Sequence, residues 1–446
     1  MSLILQIPEV QALSNVRSVI RIPSETDVPV TPRVRKLIDT PEFRRLHRIS
    51  QLGLVGLIYP AANHTRFEHS LGVYRLSLLF LRQLAQSDRF NELVPPEDAE
   101  LFIVAALLHD LGHWPFCHPI EDMELPGVPE HELFANSFLL EGEVANSLRD
   151  DWGINPRDVV TMLSGKPRST SGELLRSMLS GPIDIDKMDY LQRDSLHAGV
   201  PYGRNFDQQR LIGSLCVNDS GNRLAITEKG KTAAEMMVFS RYVMFSEVYW
   251  HHAVRSATAM LQRSFFLTHH EMDLDQLFRQ DESEFIETVR KHSNRNSISD
   301  LWNGLFGSTR NLYKRLLEIN HRDDPILYKH LARQDFSYLA NCAEQLANEL
   351  SKSLGVRIAP NQILIDAPPK SVETQFRVEV LSKQSGTWAN LHELSPVVSA
   401  LAGADFENHV KRVRVFAAPE IKQRIGASTS VKSILQSVIE QDINAE

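Results

Sequence analysis

Four titratable side chains lie within ten residues of one another, directly after a long apolar run. The stretch ELFIVAALLHDLGHWPFCH ends in His109, Asp110, His113 and His118. Unpaired polar side chains are costly to bury, so a buried helix that ends in this way needs partners for them. A metal ion is one such partner, because imidazole and carboxylate groups are common metal ligands. The stretch therefore predicts a metal site at the end of a buried helix.

A further histidine approaches the same region from another predicted helix. His69 lies on the apolar face of RFEHSLGVYRLSLLFLRQLAQ, so it points toward the core. The segment IDIDKMDY offers three carboxylates as an additional ligand: Asp184, Asp186 and Asp189. Taken alone, the dipeptide His109-Asp110 favours a core histidine that is hydrogen-bonded to a carboxylate. Convergence of two histidines and a carboxylate on one core makes metal coordination the stronger interpretation.

The elements that must position these residues are mainly helices, with apolar residues at three- and four-residue spacing. A threonine-proline pair predicts a helix start at Thr31, and a second helix is predicted to begin at Asp39 or Thr40 and to end at Gly53. Helices are also predicted for PPEDAELFIVAALLHDLGH to Gly112, for 131–148 and 155–164, for GPIDIDKMDYLQRDSLHAG, and without interruption for 231–266. Strands are predicted for SVIRIP, RLIGSLCV, RLAITE and the tail segments QILIDAP, FRVEVLS and VRVFAAP.

This pattern predicts a mainly α protein that has a helical core, short β-hairpin insertions and a smaller mixed α/β C-terminal region. Three parts are expected: an N-terminal strand and helix segment over 1–45, the core over 46–270, and the C-terminal region over 271–446. The last boundary is placed where the long helix ends in EMDLDQ. The C-terminal region is interpreted as a packing or oligomerisation module.

Composition limits the functional classes. A net charge of −8 and a pI near 6.1 argue against a chain-wide nucleic-acid surface. The three cysteines form no CxxC pair, which indicates a reducing compartment. The run LFIVAALL is far shorter than the roughly 20 residues of a membrane span, and MSLILQIPEV lacks the features of a signal peptide. We therefore expect a soluble, cytoplasmic protein that binds neither membranes nor nucleic acid.

Four longer strings, in this order, resemble the HD-domain phosphohydrolases, in the branch of the deoxynucleoside triphosphate (dNTP) triphosphohydrolases: DTPEFRRLHRISQLG, TRFEHSLGV, HDLGHWPFCH and IDKMDYLQRD. The resemblance implies an HD-domain core and a divalent ion held by His69, His109, Asp110 and Asp186. The donor set suits Mn, Fe, Zn, Ni or Mg. The implied reaction is attack of metal-activated water on the α-phosphorus of a dNTP, which releases deoxynucleoside and tripolyphosphate.

The resemblance also implies roles for residues around the metal. Arg66 and Lys187 would bind phosphate oxygens. Three histidines would surround the α-phosphate, and one of them would protonate the leaving 5′-oxygen: His113, His118 and His131. We favour His131, with Glu132 orienting its imidazole, although PEHEL is also typical of an ordinary helix start.

Sugar and base contacts are implied in the same way. Tyr190 and Asp194 share a helical face with Asp186. The resemblance implies that Tyr190 packs on the sugar and that Asp194 binds the 3′-hydroxyl. Two further residues match deoxyribose contacts: Gln51 and Leu52. In VYWHHAVR, Trp250 and His252 could stack on or hydrogen-bond the base, and ordinary helix packing is the alternative for Trp250.

Regulation and assembly follow from the resemblance only in part. Some relatives bind an activating nucleotide between subunits, and Asp39 matches that motif, whereas Arg44 and His47 depart from it. Activation by a different nucleotide, or by none, therefore stays open. The resemblance and the apolar tail favour a homo-oligomer, either a dimer or a tetramer. Two alternative functions remain: an HD phosphohydrolase for a monophosphate, cyclic nucleotide or alarmone, and a nucleotide-sensing or nucleic-acid-binding scaffold with weak catalysis.

Overall fold

Helices form most of the structure, a computed structural model that describes residues 2–14, 18–24, 26–167, 169–295, 298–370, 377–382, 384–401, 408, 410–425 and 430–443. Within these residues, sheets of two, four and three strands accompany the helices. The predicted class, mainly α with short hairpins and a mixed C-terminal region, is confirmed.

A β-hairpin and three short helices form the N-terminal segment. They are α1 (Pro8–Ala12), β1 (Val19–Ile22), β2 (Thr26–Pro29), α2 (Pro32–Ile38) and α3 (Pro41–Arg44). The strands pair antiparallel. The predicted starts of α2 and α3 are confirmed, because the Thr31 and Thr40 hydroxyls each accept a hydrogen bond from the backbone N–H three residues later.

The helix predicted to continue to Gly53 ends sooner. A 3₁₀ turn (Arg45–Arg48) follows α3, and Ile49 is extended. The chain then pairs with the segment that precedes the next helix, where the Gln51 N–H donates to the His64 carbonyl at 2.9 Å. This pairing satisfies backbone groups that a longer helix would have used.

Ten central helices carry most of the site. They are α4 (Arg66–Leu84), α5 (Asp88–Leu93), α6 (Pro96–Leu108), α7 (Cys117–Glu121), α8 (His131–Phe134), α9 (Asn136–Leu139), α10 (Gly142–Trp152), α11 (Pro156–Leu163), α12 (Thr170–Leu179) and α13 (Ile185–His197). The helix predicted over 131–148 is thus three helices, and α10 begins at Gly142, whose φ of +78° favours glycine.

Helix α4 packs against both α6 and α13, and the predicted metal ligands lie on α4, on α13 and in the turn that directly follows α6. Helix α6 begins with Pro96 and two acidic residues, which suit a helix N-terminus. Its residues Phe102–Leu108 are each at most 1% exposed. The helix ends at Leu108, four residues before the predicted end. This buried second half of α6 holds the turn after it in place.

The next segment contains α14 (Gln208–Ile212), β3 (Leu215–Val217), β4 (Leu224–Thr227), α15 (Lys231–Met244) and α16 (His252–Thr268). The strand predicted for RLIGSLCV is therefore helical in its first part, where the Asp207 side chain caps α14 by accepting from the Arg210 N–H at 2.9 Å. The hairpin of β3 and β4 is antiparallel.

The uninterrupted helix predicted over 231–266 is wrong. A π-helical turn (Phe245–Tyr249) follows α15, and His251 is extended, with φ −58° and ψ 133°. The interruption lets the Tyr249 hydroxyl donate to Asp194 at 2.6 Å while Trp250 is buried under the Arg255 guanidinium. Single π-helical turns are frequent at functional sites. This one brings the Tyr249 hydroxyl to Asp194, a predicted substrate-binding residue.

The C-terminal region is a mixture of helices and strands. It contains α17 (Leu274–Arg279), α18 (Glu282–Arg295), α19 (Ser299–Phe306), β5 (Lys314–Ile319), α20 (Pro325–Leu331), α21 (Phe336–Leu354), β6 (Ile363–Asp366), β7 (Glu379–Ser382), β8 (Thr387–Asn390), α22 (Leu391–Leu394), α23 (Pro396–Leu401), β9 (Val413–Ala417), α24 (Pro419–Arg424) and α25 (Val431–Ile443). The three predicted tail strands are confirmed, except for Phe376 in FRVEVLS, which lies outside the described residues.

Several contacts cross the predicted boundary near residue 270. Strand β9 pairs antiparallel with β5 and β6, whereas β7 pairs parallel with β4 of the central segment and antiparallel with β8. Arg255 on α16 forms a buried ion pair with Asp366 on β6 at 2.6 Å. The C-terminal region therefore supports helices that carry the site. Among the described helices, none is long and apolar enough to cross a bilayer.

Candidate active site

Two imidazoles and two carboxylates converge where α4, α6 and α13 meet. His69 Nε2 lies 3.1 Å from Asp186 Oδ1 and 3.2 Å from His109 Nε2. Asp110 completes the group, with Oδ1 at 3.4 Å from His109 Nε2. Tetrahedral coordination at metal–ligand distances of about 2.0–2.2 Å separates ligand atoms by about 3.3–3.6 Å. His69, His109 and Asp110 could therefore hold a metal ion together, and Asp186 lies beside them, 3.1 Å from His69 and 3.8 Å from His109.

The charges of this group also call for a cation. Although burial opposes ionisation, the neighbouring histidines and arginine hold the pKa of Asp110 well below its usual range, and His69 lowers the pKa of Asp186. Burial opposes a charge on His69, but its hydrogen bonds to Asp186 and Asp189 and the charge of Asp110 raise its pKa to about 10. Without a metal ion, His69 therefore holds a proton at the place where the ion would bind.

The other nitrogen of each histidine ligand is held by an acceptor. His69 Nδ1 donates to Asp189 Oδ2 at 2.8 Å, and His109 Nδ1 donates to the Ala106 carbonyl at 3.0 Å. Such contacts fix the ring orientation and direct Nε2 toward the position that a metal ion would occupy. Asp189 was one of three possible ligands from sequence, and the structure makes it an orienting residue. Its own carboxylate is held by Arg193 at 2.7 and 2.8 Å.

A glycine permits this arrangement between α4 and α13. A Cβ at Gly72 would lie 1.9 Å from Asp189 Oδ1, so a side chain there would displace the carboxylate. Arg193 also donates to Glu68 at 2.7 Å, and Glu68 accepts from His197 at 2.9 Å. The orientation of one metal ligand thus depends on a buried network that spans both helices.

The two predicted phosphate-binding cations are both engaged with carboxylates. Arg66 is 4% exposed and donates to Asp110 Oδ2 at 2.8 Å, so it positions a metal ligand. Lys187 donates to Asp184 Oδ2 at 2.8 Å, and Asp184 also caps α13. Burial and the neighbouring Asp186 charge raise the pKa of Asp184, and Asp184 in turn raises the pKa of Lys187. Phosphate contacts by either cation remain a prediction.

The three predicted histidines form a second cluster beside the first. The His113 ring lies 4.0 Å from the His131 ring and 5.0 Å from the His118 ring. His113 is buried, and burial and the Arg66 charge hold its pKa well below the usual value, so it is neutral. Its Nδ1 lies 3.1 Å from Asp110 Oδ1, and its Nε2 has no partner among the described residues. The side chain of His118 is 59% exposed at the outer edge of the cluster.

The predicted partner of His131 is wrong. His131 Nδ1 lies 2.9 Å from both carboxylate oxygens of Glu121, whereas Glu132 is exposed. Consecutive residues at the start of α8 point in different directions, so Glu132 faces away from the imidazole. Despite burial, hydrogen bonds from His118 and His131 lower the pKa of Glu121 and keep it ionised. Glu121 therefore orients His131 and leaves Nε2 available to carry a proton.

The turn after α6 approaches α8 very closely. A Cβ at Gly112 would lie 2.1 Å from the His131 carbonyl oxygen, so only glycine fits between the two clusters. Arg45 holds the same turn through hydrogen bonds to the carbonyls of Leu111 at 2.9 Å and His113 at 2.8 Å. Burial lowers the pKa of this guanidinium to about 9. The distance between the metal group and His131 is set by these contacts.

The predicted sugar residues on α13 lie beside a second tyrosine. Asp194 is 2% exposed and binds both His64 at 2.9 Å and the Tyr249 hydroxyl at 2.6 Å. The Tyr190 ring is 6.4 Å from the Tyr249 ring. Burial raises the pKa of Tyr190, whereas the nearby Arg241 charge opposes this increase. Arg241 therefore adds a cation on this side of α13.

Gln51 and Leu52 lie in the loop that pairs with the start of α4. Gln51 Oε1 is buried and has no partner among the described residues. Leu52 is half-buried and packs on the core. Glu282 from α18 holds the loop by accepting from the Ser50 N–H at 2.9 Å and from the Ser50 hydroxyl at 2.5 Å. The loop is thus kept in place by the C-terminal region.

The two predicted base contacts lie apart from these groups. Trp250 is 5% exposed, and its indole N–H donates to the Arg412 carbonyl at 3.3 Å. This contact supports packing, the alternative considered from sequence. His252 is exposed and lines a different pocket, together with Arg310 and Arg315, that includes none of the four metal ligands.

Residues of the activator motif lie on the outer surface of α2 and α3. They are all exposed: Asp39, Arg44 and His47. Arg44 and His47 both contact the Phe67 ring, with the guanidinium at 5.4 Å and the imidazole at 4.9 Å from its centre. Nothing in these contacts identifies a nucleotide.

Several functional residues were missed by sequence reasoning. Glu121 is three residues from His118, and Arg193 is four residues from Asp189, spacings that bring helical side chains together. Such spacings could have indicated that these side chains interact, but many pairs of charged residues on exposed helix surfaces have the same spacing. Tyr249 carried no signal, because its position depends on the π-helical turn.

Two family models match this chain, and several known proteins resemble it. The family model for the HD domain matches residues 66–194, and the model for the HD associated region matches residues 206–442. Uncharacterized protein MJ1154 of Methanocaldococcus jannaschii is 29% identical over 96% of this chain and 85% of its own length. Human deoxynucleoside triphosphate triphosphohydrolase SAMHD1 is 28% identical over 57% of this chain and 45% of its own length.

A solved structure shares the same architecture. The crystal structure of a hypothetical protein from Aquifex aeolicus superposes with a TM-score of 0.69 at 29% identity, and the match covers 94% of this chain and 99% of that chain. Together with the two family models and the four converging ligands, this similarity places the chain in a class. The chain belongs to the HD phosphohydrolase superfamily, as its motifs implied.

Proposed function

We propose that this chain is a metal-dependent hydrolase that converts dNTPs to deoxynucleoside and tripolyphosphate. The observation that carries the proposal is the juxtaposition of two groups, the ligands around His69 and His109 and the oriented pair of His131 and Glu121. The first group suits a phosphate-binding ion, and the second suits proton transfer to a leaving oxygen.

The reaction requires one bond to form and one to break. The oxygen of a water molecule forms a bond with the α-phosphorus, and the bond from that phosphorus to the 5′-oxygen breaks. A divalent ion held by His69, His109, Asp110 and Asp186 would lower the pKa of a bound water and neutralise phosphate charge. His131 supplies a proton from Nε2 to the departing 5′-oxygen, while Glu121 holds Nδ1 and fixes the orientation of the ring.

Other residues bind and orient the substrate. Neutral His113 donates from Nδ1 to Asp110, so its unpartnered Nε2 can accept a hydrogen bond from a water molecule beside the phosphate. Arg66 keeps Asp110 in place, and Arg241 and Lys187 provide positive charge around α13 for the remaining phosphates. Asp194 accepts a hydrogen bond from the sugar 3′-hydroxyl in this proposal. The printed name of the SAMHD1 relatives, deoxynucleoside triphosphate triphosphohydrolase, supports the choice of substrate.

The test is product identification with the purified, metal-loaded protein. Each dNTP, and all four together, is incubated with Mn²⁺ or Mg²⁺, and the products are separated by ion-exchange chromatography. We expect deoxynucleoside and intact tripolyphosphate. Orthophosphate or ring opening of a cyclic nucleotide, without tripolyphosphate from any dNTP, would instead identify another HD phosphohydrolase activity.

Activation by a nucleotide and homo-oligomerisation stay separate predictions. Light scattering after gel filtration, with and without added dNTPs, measures the mass of the assembly. A mass that stays equal to that of one chain would contradict homo-oligomerisation. If that monomer also hydrolyses a single dNTP, activation by a nucleotide bound between subunits is contradicted as well.

A further inference from the structure

A small cavity lies between the β1–β2 hairpin and the outer sides of α4 and α13. Three arginines line it, Arg75, Arg193 and Arg204, together with Asp189. None of the four metal ligands lines it. Asp189 separates it from His69, to which it is hydrogen-bonded. We call this cavity the rear pocket.

The charges in the rear pocket do not balance. Arg193 is paired with Asp189 and Glu68. In contrast, no carboxylate of the described residues lies within 4.0 Å of Arg75 or Arg204. The Nε of Arg75 donates to the backbone carbonyl of Asp27 at 3.1 Å, which carries no net charge. Burial of a guanidinium without a counter-ion is unfavourable, so the pocket has a net attraction for an anion.

The half-buried state of Arg75 strengthens this imbalance. Its pKa is lowered first by burial and then by the charge of Arg82, one of its neighbours along α4, and the charges of Asp27 and Asp189 offset this decrease only in part. Arg204 is exposed at the edge of the pocket, where its long side chain is free to approach a bound group. Gln192 and Gln208 add neutral hydrogen-bonding groups to the lining.

The size of the rear pocket limits the ligand. Its volume is about 70 Å³. One water molecule needs roughly 10–15 Å³ by this measure, so the pocket accommodates about five water-sized groups. Drug-sized ligands and cofactors occupy roughly 300–1,000 Å³. A tetrahedral oxyanion has five heavy atoms, and guanidinium groups bind its oxygens through charge-assisted hydrogen bonds.

We propose that the rear pocket binds a small tetrahedral oxyanion such as inorganic phosphate. The ligand contacts Arg75 and Arg204 and adjoins Arg193, the residue that holds the orienting carboxylate of Asp189. The site lies behind the metal group and is too small for a nucleotide. Its existence does not depend on which nucleotide the protein hydrolyses.

Calorimetric titration of the full-length, metal-loaded protein with inorganic phosphate tests this proposal. Because phosphate can also bind at the metal, Arg75→Gln is compared with Arg82→Gln, which removes the same charge from the exposed side of α4. Loss of one charged hydrogen-bond donor is expected to weaken binding at the rear pocket at least about tenfold. For Arg82→Gln we expect a change below about threefold, because exposed charges are screened.

Three outcomes would overturn the proposal. They are a wild-type protein that binds no phosphate beyond the metal centre at about 10 mM, an equal loss in both variants, and displacement of the Arg75-dependent phosphate by tripolyphosphate. Crystals soaked in phosphate provide a second measurement, with density expected between Arg75 and Arg204. These readouts do not use turnover, so failure here is distinguishable from failure of the proposed hydrolysis.

Discussion

Metal affinity is expected to depend steeply on pH because of His69. Its two imidazole nitrogens face Asp189 and Asp186, and these contacts raise its pKa to about 10 when no metal is bound. A metal ion needs the unprotonated Nε2, so the proton and the ion compete for the same atom. Since the group is protonated below its pKa, the apparent affinity rises as the pH rises and levels off near pH 10.

The size of the effect follows from this competition. For a proton with a pKa of about 10, raising the pH from about 7 to about 8.5 strengthens binding about 30-fold. At 1.36 kcal/mol per pH unit, the gain in binding free energy is about 2 kcal/mol. The assay is competition with a chelating indicator whose own pH dependence is known. Calorimetry in buffers of different ionisation enthalpy should also show release of about one proton per ion near pH 7.

A matched pair of variants tests the cause. Asp189→Asn removes one carboxylate that raises the His69 pKa, so the pH dependence becomes shallower and affinity falls about 10- to 100-fold. Asp158 is exposed, so Asp158→Asn serves as the control and should leave the metal affinity and its pH dependence unchanged. Affinity that stays constant from about pH 7 to about 8.5, with no proton released, would refute this account of His69.

Three other predictions use single substitutions. Asp110→Asn should abolish metal binding and lower the unfolding free energy by about 3–5 kcal/mol, because a buried arginine loses its carboxylate; metal analysis showing full occupancy would contradict the ligand assignment. Glu121→Gln should lower turnover about 10²- to 10⁴-fold at unchanged metal content, while Glu132→Gln should not, and similar losses in both variants would argue against the Glu121 pairing. Arg255→Met should cost about 3–5 kcal/mol in denaturant unfolding, and adding Asp366→Leu should recover part of it; no recovery would show that the ion pair is not the cause.

Helices with strong start signals and buried faces were predictable from sequence. The starts of α2, α3, α6 and α13 follow from threonine, proline or aspartate at the first positions, and α6 was recognisable from its apolar length. His69, His109 and Asp110 were predicted as ligands from their positions at the core. The resemblance then selected Asp186 among three acidic candidates for the fourth ligand. The structure then places these four side chains together.

The rest depends on contacts between distant segments, which local patterns do not encode. The partner of His131 comes from α7, ten residues earlier, and not from the adjacent Glu132. The break at Phe245–Tyr249 follows from the separate contacts of Tyr249 and Trp250, whereas the local sequence continues a helical pattern. Gln51 is positioned by a loop whose glutamate partner lies in α18.

The hydrogen bond between Ser50 and Glu282 can form only after most of the chain has been synthesised. Ser50 and Glu282 are 232 positions apart in the chain. At about 5–20 residues per second, a ribosome adds Glu282 roughly 10 to 50 seconds after Ser50. During this interval the loop that carries Gln51 lacks its anchor, even though most of the helices with metal ligands have already been made. The nascent chain therefore contains all four predicted metal ligands well before Glu282 can fix the loop that carries Gln51.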